Sequence, residues 1–256
     1  MKPMSEGASQ RSKRQRPCGK VSLERALSKL GLASRSQTRE YILSGRLCVD
    51  GQVIRDPMHT VVPERAKFFL DGKPLERMAW QTIMFYKPKG VVTARVDAGG
   101  ERTIFDILPS HFCHLHPVGR LDKATTGLLL LTNDTKLSSF LADPVNAIAR
   151  TYLVSVEGKV DDQGAERACQ GVIDKDELLK ASKVVIRKAS GKESHLIVEL
   201  SEGKNREIRR LFDGLGHPVR KIKRVAFGGL QLGDLKPGEF RFITRKELRW
   251  IDPGVF

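Results

Sequence analysis

The sequence predicts an α+β protein: a small helix–helix–hairpin domain, then a larger domain with a mixed, mostly antiparallel sheet and flanking helices. Three observations point there. Helical periodicity followed by two Asp-Gly turns is confined to the stretch before residue 77. Beyond residue 80 the apolar residues fall in longer strand-like runs with short helices between them. Those runs make neither a regular βαβ repeat nor an all-β pattern, which leaves α+β.

The chain has 256 residues, enough for one large domain or two smaller ones. Residues 1–20 carry six basic side chains against one acid and almost nothing to bury, and are read as a disordered basic arm. Leu23, Ala26, Leu27 and Leu30 form the apolar stripe of a helix that Gly31 ends. Ser34 and Gln37 make a capping-box pattern opening a second helix, with Tyr41 and Ile42 inward and Gly45 past its end. Leu47–Val49 and Val53–Ile54 flank Asp50-Gly51, a hairpin signal because both turn positions favour positive φ. Phe68–Leu70 and Asp71-Gly72 close this domain, residues 21–76. The second domain is expected over residues 80–247, after the connecting stretch 75–81, with a tail at 248–256. Its strands are expected at Ile83–Tyr86, resumed at Val91–Thr93 after a Pro-Gly turn. Others fall at Leu128–Leu131, around Tyr152, at Val184–Ile186, Leu196–Leu200 and Phe240–Ile243. Helices are expected after an Asn133, Asp134 or Thr135 cap, burying Leu137, Phe140 and Leu141, and over Ile208–Leu215, ended by Gly216.

Lys plus Arg number 45 against 30 for Asp plus Glu, a net charge of +15. That excess points to a polyanion, and to nucleic acid rather than a membrane surface, because no basic amphipathic helix with exposed aromatics is present. No apolar run exceeds four residues, far short of a spanning helix, and the N-terminus lacks a secretory h-region, so the expected location is the cytoplasm. Four widely spaced cysteines form no C-x-x-C pair and no zinc-ligand spacing; free thiols and no metal are expected.

The most informative segment is HPVGRLDKATTGLLLLTND, residues 116–134. A Gly-Arg-Leu-Asp turn directly before a buried strand presents Arg120 and Asp122 from a loop on a rigid element, which suits a positioned nucleophile or base. As a bare pattern it fits a structural Arg120–Asp122 pair better. By periodicity alone Tyr152 is a core tyrosine, and by charge alone Arg209 is one exposed base among several. Residues 203–224 hold eight basic side chains against two acids, and a groove for an RNA backbone is the natural reading, with Lys204, Arg206 and Arg210 at the RNA. His114, His116 and His217 are read as structural.

Two resemblances sharpen this. VSLERALSKLGLASRSQTREYILSGRLCVDGQVI, residues 21–54, resembles the ribosomal-protein-S-four-type RNA-binding domain, which implies that Arg35, Ser36 and Arg39 face RNA, with Lys29 and Arg46 as weaker candidates. The 116–134 segment resembles the catalytic motif of the pseudouridine synthases, in the ribosomal RNA group that carries the S-four-type domain. KPKGVVTA (87–94), ARTYLVSV (149–156) and EGKNREIRRLFDGLGHPVRKIKRVAFGGL (202–230) resemble its opening motif, its tyrosine strand and its basic helix, in that order. The resemblance implies Asp122 as the nucleophilic carboxylate, attacking either the pyrimidine ring or the anomeric carbon, and Tyr152 stacked on the target base. It also implies Arg209 paired with Asp122, and Arg120 on the flipped nucleotide. It implies no cofactor, ribosomal RNA or subunit particles as partners, a monomer, and, from the look of EGKNREIRRL, large-subunit RNA. A non-catalytic RNA-binding factor and a nuclease are the competing readings.

Overall fold

The computed structural model describes residues 19–76 and 79–251. The expected arm over residues 1–20, but for Gly19 and Lys20, and the last five residues of the expected tail lie outside them. The chain divides into two compact units between residues 77 and 78.

In the first unit, β1 (Val21–Ser22) leads into α1 (Leu23–Leu30), whose Leu23, Ala26 and Leu27 are fully buried. Gly31 ends the helix at φ +69°, the left-handed conformation that glycine adopts without penalty. α2 (Arg35–Leu43) opens with a complete capping box: the Ser34 hydroxyl accepts from the Gln37 N–H, and the Gln37 side chain accepts from the Ser34 N–H. Then follow β2 (Leu47–Val49), β3 (Gln52–Val53), β4 (Thr60–Val61), β5 (Phe68–Leu70) and β6 (Lys73–Pro74). They form a four-stranded sheet in the order β3-β2-β5-β6, with β1 and β4 paired apart. Asp50 and Asp71 start the two hairpin turns at φ 50°, as the Asp-Gly pattern predicts. Ile42, Leu47, Val49 and Phe68 pack on α1 as one small core.

The second unit is built on β7 (Thr82–Lys87), β8 (His116–Pro117), β9 (Thr126–Thr132), β10 (Arg150–Glu157), β11 (Val172–Asp174), β12 (Glu177–Leu179), β13 (Lys183–Ala189), β14 (Glu193–Leu200), β15 (Val219–Phe227), β16 (Leu230–Gln231) and β17 (Phe240–Phe242). Its helices are α3 (Thr135–Ala142), α4 (Asp162–Gln170), α5 (Glu207–Gly214) and α6 (Arg245–Leu248). The main sheet runs β13-β14-β10-β15-β9-β7-β17, with β16 beside β15 and β8 beside β9; β11 and β12 form a separate hairpin. All its strand pairs among the described residues are antiparallel except β9 with β15. Both faces are covered. Ile83, Phe85, Leu129 and Leu131 face a core with Ile208, Leu211 and Phe212 of α5, whereas Met84, Tyr86, Leu128 and Leu130 face a second core with Leu137 and Leu141 of α3. Burial on both faces explains the continuous run of four leucines in β9. Asp134 is the α3 N-cap, accepting from the Lys136 and Leu137 N–H groups.

Two expectations are corrected. Val91–Thr93 does not resume a strand; Val92 makes only an isolated bridge to Thr103, and the Thr93 hydroxyl is drawn to Leu121. The motif likened to a basic helix, residues 202–230, is helical only over Glu207–Gly214, where the helix expected at Ile208–Leu215 forms, and Val219–Phe227 in its second half is the nine-residue strand β15. There Ile222, Arg224 and Ala226 are buried and Arg220 and Lys221 exposed, so the basic residues are distributed over both faces of a strand.

β9 and β15 meet at Thr126–Lys223 and Gly127–Arg224. Gly127 has φ +104°, and a Cβ there would fall inside the van der Waals shell of the Arg224 backbone carbonyl. Gly127→Ala is therefore expected to lower the stability of this unit by about 2–4 kcal/mol, from left-handed strain and overpacking together. Urea unfolding of the two proteins measures it; equal midpoints would mean that the two strands part without cost.

Candidate active site

Asp122 sits in the loop that enters β9. Leu121 is buried beneath it, while Asp122, Lys123 and Ala124 are exposed, so few apolar contacts hold the loop. Polar contacts hold it instead. The Thr125 N–H donates to the Asp122 carbonyl at 3.0 Å, closing a turn, and the Gly90 N–H donates to the Lys123 carbonyl at 2.8 Å. The Thr93 hydroxyl donates to the Leu121 carbonyl at 2.8 Å and lies 3.2 Å from the Leu121 N–H. At the centre is Lys87, at the end of β7 and wholly buried. Its Nζ donates to the carbonyls of Thr125 at 2.9 Å, Pro88 at 3.1 Å and Lys123 at 3.4 Å. Burial pushes the Lys87 ammonium down to about 8, and the nearby Asp122 carboxylate pulls the other way. A buried lysine thus holds the loop at Lys123 and Thr125, just past Asp122, and places a positive charge near its carboxylate. The sequence reading assigned Lys87 no role; its place in KPKG, at the end of an otherwise apolar strand, was the available signal.

Asp122 lines a cleft of about 160 Å³ together with Arg120, Tyr152, Lys204, Arg206 and Arg209. Six of the sequence-predicted residues thus come to one place from three separate stretches of chain. Tyr152 is buried on β10 at the cleft wall, directly opposite Arg224 of β15. The β10–β15 ladder shifts register between Thr151 and Tyr152, the kind of local bulge that re-aims a side chain beside a site. Arg150, Arg224, Glu207 and Phe227, which were not singled out, also line the cleft. Glu207 opens α5 and accepts from the Lys204 N–H at 3.0 Å; burial raises its carboxyl above the usual carboxylate range.

Three of the expected cations have other partners in the structure. Arg209 lines the cleft with Asp122, but no ion pair joins them: its Nη1 donates to the Val219 carbonyl at 3.2 Å. Lys204 is engaged by Glu202 at 2.8 Å and by the Leu178 carbonyl at 2.8 Å. Arg210 is not part of the cleft; it is bound to Asp174, and to Glu177 at 2.6 Å, tying α5 to the β11–β12 hairpin. That carboxylate pair, far away in sequence, satisfies a guanidinium that the charge pattern alone left for RNA. In the first unit Arg35, Ser36 and Arg39 are exposed on α2, with Ser36 Oγ 3.2 Å from Ser34 Oγ, and among the described residues neither arginine enters a salt bridge. The weaker candidates are neutralised: Lys29 by Glu64 at 2.9 Å, and Arg46 by Asp71.

None of His114, His116 and His217 lines the cleft; His114 bonds Gln81 at 2.9 Å and His217 the Glu157 carbonyl at 3.0 Å. Cys48, Cys113 and Cys169 are free thiols, and Cys18 lies outside the described residues. Among the described residues no three His, Cys, Asp or Glu side chains form a metal-binding group, and no helix is long and apolar enough to cross a membrane.

Comparison with known proteins matches residues 81–213 to the RNA pseudouridylate synthase family and residues 22–65 to the S4 domain. An uncharacterized RNA pseudouridine synthase of Aquifex aeolicus is 35% identical, covering 92% of this chain and 95% of that protein. The ribosomal large subunit pseudouridine synthase B of Bacillus subtilis is 31% identical, covering 89% and 93%. Among solved structures, a pseudouridylate synthase superposes with a TM-score of 0.63 at 25% identity, over 90% of this chain and 99% of that one.

The Lys87 clamp can be tested directly. An NMR titration of labelled lysine side chains should show one ammonium titrating near 8, assigned by its loss in Lys87→Met. Between 8 and 10.5 the unfolded chain holds a proton that the folded chain has released, so this group's contribution to stability rises with pH. From pH 7 to 9.5 the unfolding free energy of the wild type should gain about 2 kcal/mol relative to Lys87→Met. Parallel pH dependences in the two proteins would refute the assignment.

Proposed function

The chain belongs to the RNA pseudouridylate synthase family and carries an S4 domain ahead of the synthase domain, and from that premise we propose that it converts one or a few uridines of large-subunit ribosomal RNA to pseudouridine with Asp122 as nucleophile. The observation that carries the reading is the loop of Asp122: an exposed carboxylate with a buried ammonium behind it, on a cleft shared with Tyr152 and an excess of cations. An aspartate suits this isomerisation because its carboxylate forms a reversible ester. One fragment stays bound to the enzyme while the base turns and rejoins through carbon.

Tyr152 supplies a face for the target base, and the exposed Arg120 and Arg206 at the same cleft supply charge for the flanking phosphates. Arg209 lies within the cleft to steady Asp122 once a nucleotide has entered. A uridine in folded RNA must leave its stack to reach such a cleft, at a cost of a few kcal/mol that pocket contacts offset. The exposed Arg35, Ser36 and Arg39 of α2 form a second RNA contact; basic side chains there bring affinity and orientation, and RNA shape selects the target. The protein acts as a monomer in the cytoplasm, without a cofactor.

The test is tritium release from ribosomal RNA labelled at ring carbon five of uridine, offered as free RNA and as subunit particles. Release is expected from the wild type and a loss of at least about a thousandfold from Asp122→Asn, the effect of deleting a nucleophile. Equal release from both proteins would remove Asp122 from the chemistry. No release from either, with salt-dependent binding retained, would leave an RNA-binding protein.

A further inference from the structure

Arg224 is a charged residue at an apolar position. On β15 it alternates with Ile222, which is buried on the same core face, and it is itself only 3% exposed. Its Nε donates to the Leu128 carbonyl of β9 at 2.7 Å, just past the point where β9 and β15 stop pairing. That bond explains half of the side chain. The other half is unexplained by the fold: Nη2 is the single buried side-chain polar atom without a hydrogen-bond partner among the described residues. Among the described residues no carboxylate forms a salt bridge with the guanidinium. Arg150, which is also buried, is close enough to repel it. The Phe227 ring lies 5.3 Å from the Arg224 guanidinium carbon and 5.1 Å from that of Arg150, and it offers Arg224 Nη2 no acceptor; the Arg150 Nη groups are instead bonded to the Ser201, Glu202 and Leu141 carbonyls.

A buried guanidinium with an unmade hydrogen bond is costly unless a ligand completes it. Arg224 lines the cleft of Asp122 and stands directly across the strand pair from Tyr152. Cross-strand neighbours of this kind lie about 5 Å apart at Cβ, so a ring stacked on Tyr152 lies within reach of the Nη end. The cleft, about 160 Å³, has room for one six-membered ring, since a cavity of about 150 Å³ accepts benzene. A phosphate, carrying chain on both sides, belongs at the rim, where Arg120 and Arg206 are exposed; the floor belongs to the base. We propose that the Nη end of Arg224 binds a carbonyl oxygen of the pyrimidine held against Tyr152, making Arg224 the residue that recognises the target base. This rests on the synthase reading above and adds to it the group that reads the ring. A charge-assisted bond to a ring oxygen also explains why an arginine, rather than an aliphatic residue, occupies this apolar position.

The test varies the acceptor. A ribosomal RNA fragment is transcribed with uridine, 2-thiouridine or 4-thiouridine, sulfur being the poorer acceptor. Single-turnover conversion is read by chromatography of the digested nucleosides, which separates C- from N-glycosides. The wild type should convert one of the two sulfur-containing transcripts about tenfold or more slowly than the uridine transcript. In Arg224→Lys and Arg224→Met, with folding checked by circular dichroism, the same sulfur should cost less than about twofold. Any effect of sulfur on RNA structure is common to all three proteins, and a purely structural Arg224 would leave the sulfur penalty unchanged. Equal rates on all three transcripts with the wild type, which needs no variant, would overturn the proposal, as would an undiminished penalty in the variants. A wild type inactive even on the uridine transcript would overturn the synthase reading itself.

Discussion

The close approach of β9 and β15 at Gly127 and Arg224 is the constraint on which the second unit depends. A parallel pair cannot be joined by a tight turn, so the chain must leave β9 and return by a long crossover. Here the excursion supplies β10, β14 and α5, hence Tyr152 and Arg209. The contact lasts for two residue pairs only. Glycine permits it, by its positive φ and by the missing Cβ. Beyond it the strands diverge, the Arg224 side chain takes over the Leu128 carbonyl, and the cleft opens. One glycine therefore fixes the spacing between a loop bearing a carboxylate and a wall bearing a tyrosine.

The loop itself is held by electrostatics rather than by apolar packing. Burying Lys87 lowers its affinity for a proton by two to three units, equivalent to about 3 kcal/mol against the charged form. Bonds to three carbonyls offset this, each stronger than a neutral pair because the donor is charged. A neutral clamp of the same shape would avoid the desolvation and lose the charge behind Asp122. The fold keeps the more costly group, and with it a positive charge near a carboxylate that is exposed to water.

Much of this was legible in the sequence where the signal is local. The Ser34–Gln37 box, the Asp-Gly turns and the alternation in β10 each report their own conformation within a few residues. α4 gave no signal because its inward face is only Gly164 and Ala168, too small to mark a stripe, and it starts on the Asp161 cap. The β11–β12 hairpin turns through Lys175 and Asp176, both at positive φ, where a glycine or asparagine would have announced it. β15 was hidden by its charge: in VRKIKRVAF the apolar face is interrupted by Arg224, and that interruption is itself part of the site. Lys87 and Arg224 escaped assignment because their meaning lies in burial and in partners up to 96 residues away.

The charge count shows why a basic segment is a poor map of a nucleic-acid surface. Of the eight basic residues between 203 and 224, Lys204, Arg210 and Arg220 are paired with Glu202, with Asp174 and Glu177, and with Glu157, and Arg224 is buried. Lys223 lies over the Tyr86 ring at 5.0 Å, and Arg209 holds a strand carbonyl. Only Arg206 and Lys221 are exposed without a salt bridge among the described residues. Counterion release follows the cations that actually meet phosphates. A paired guanidinium has already exchanged water for a carboxylate and gains little from RNA. The net charge of +15 thus points to a polyanion, but the cations left exposed and without a salt bridge among the described residues are far fewer than that count suggests.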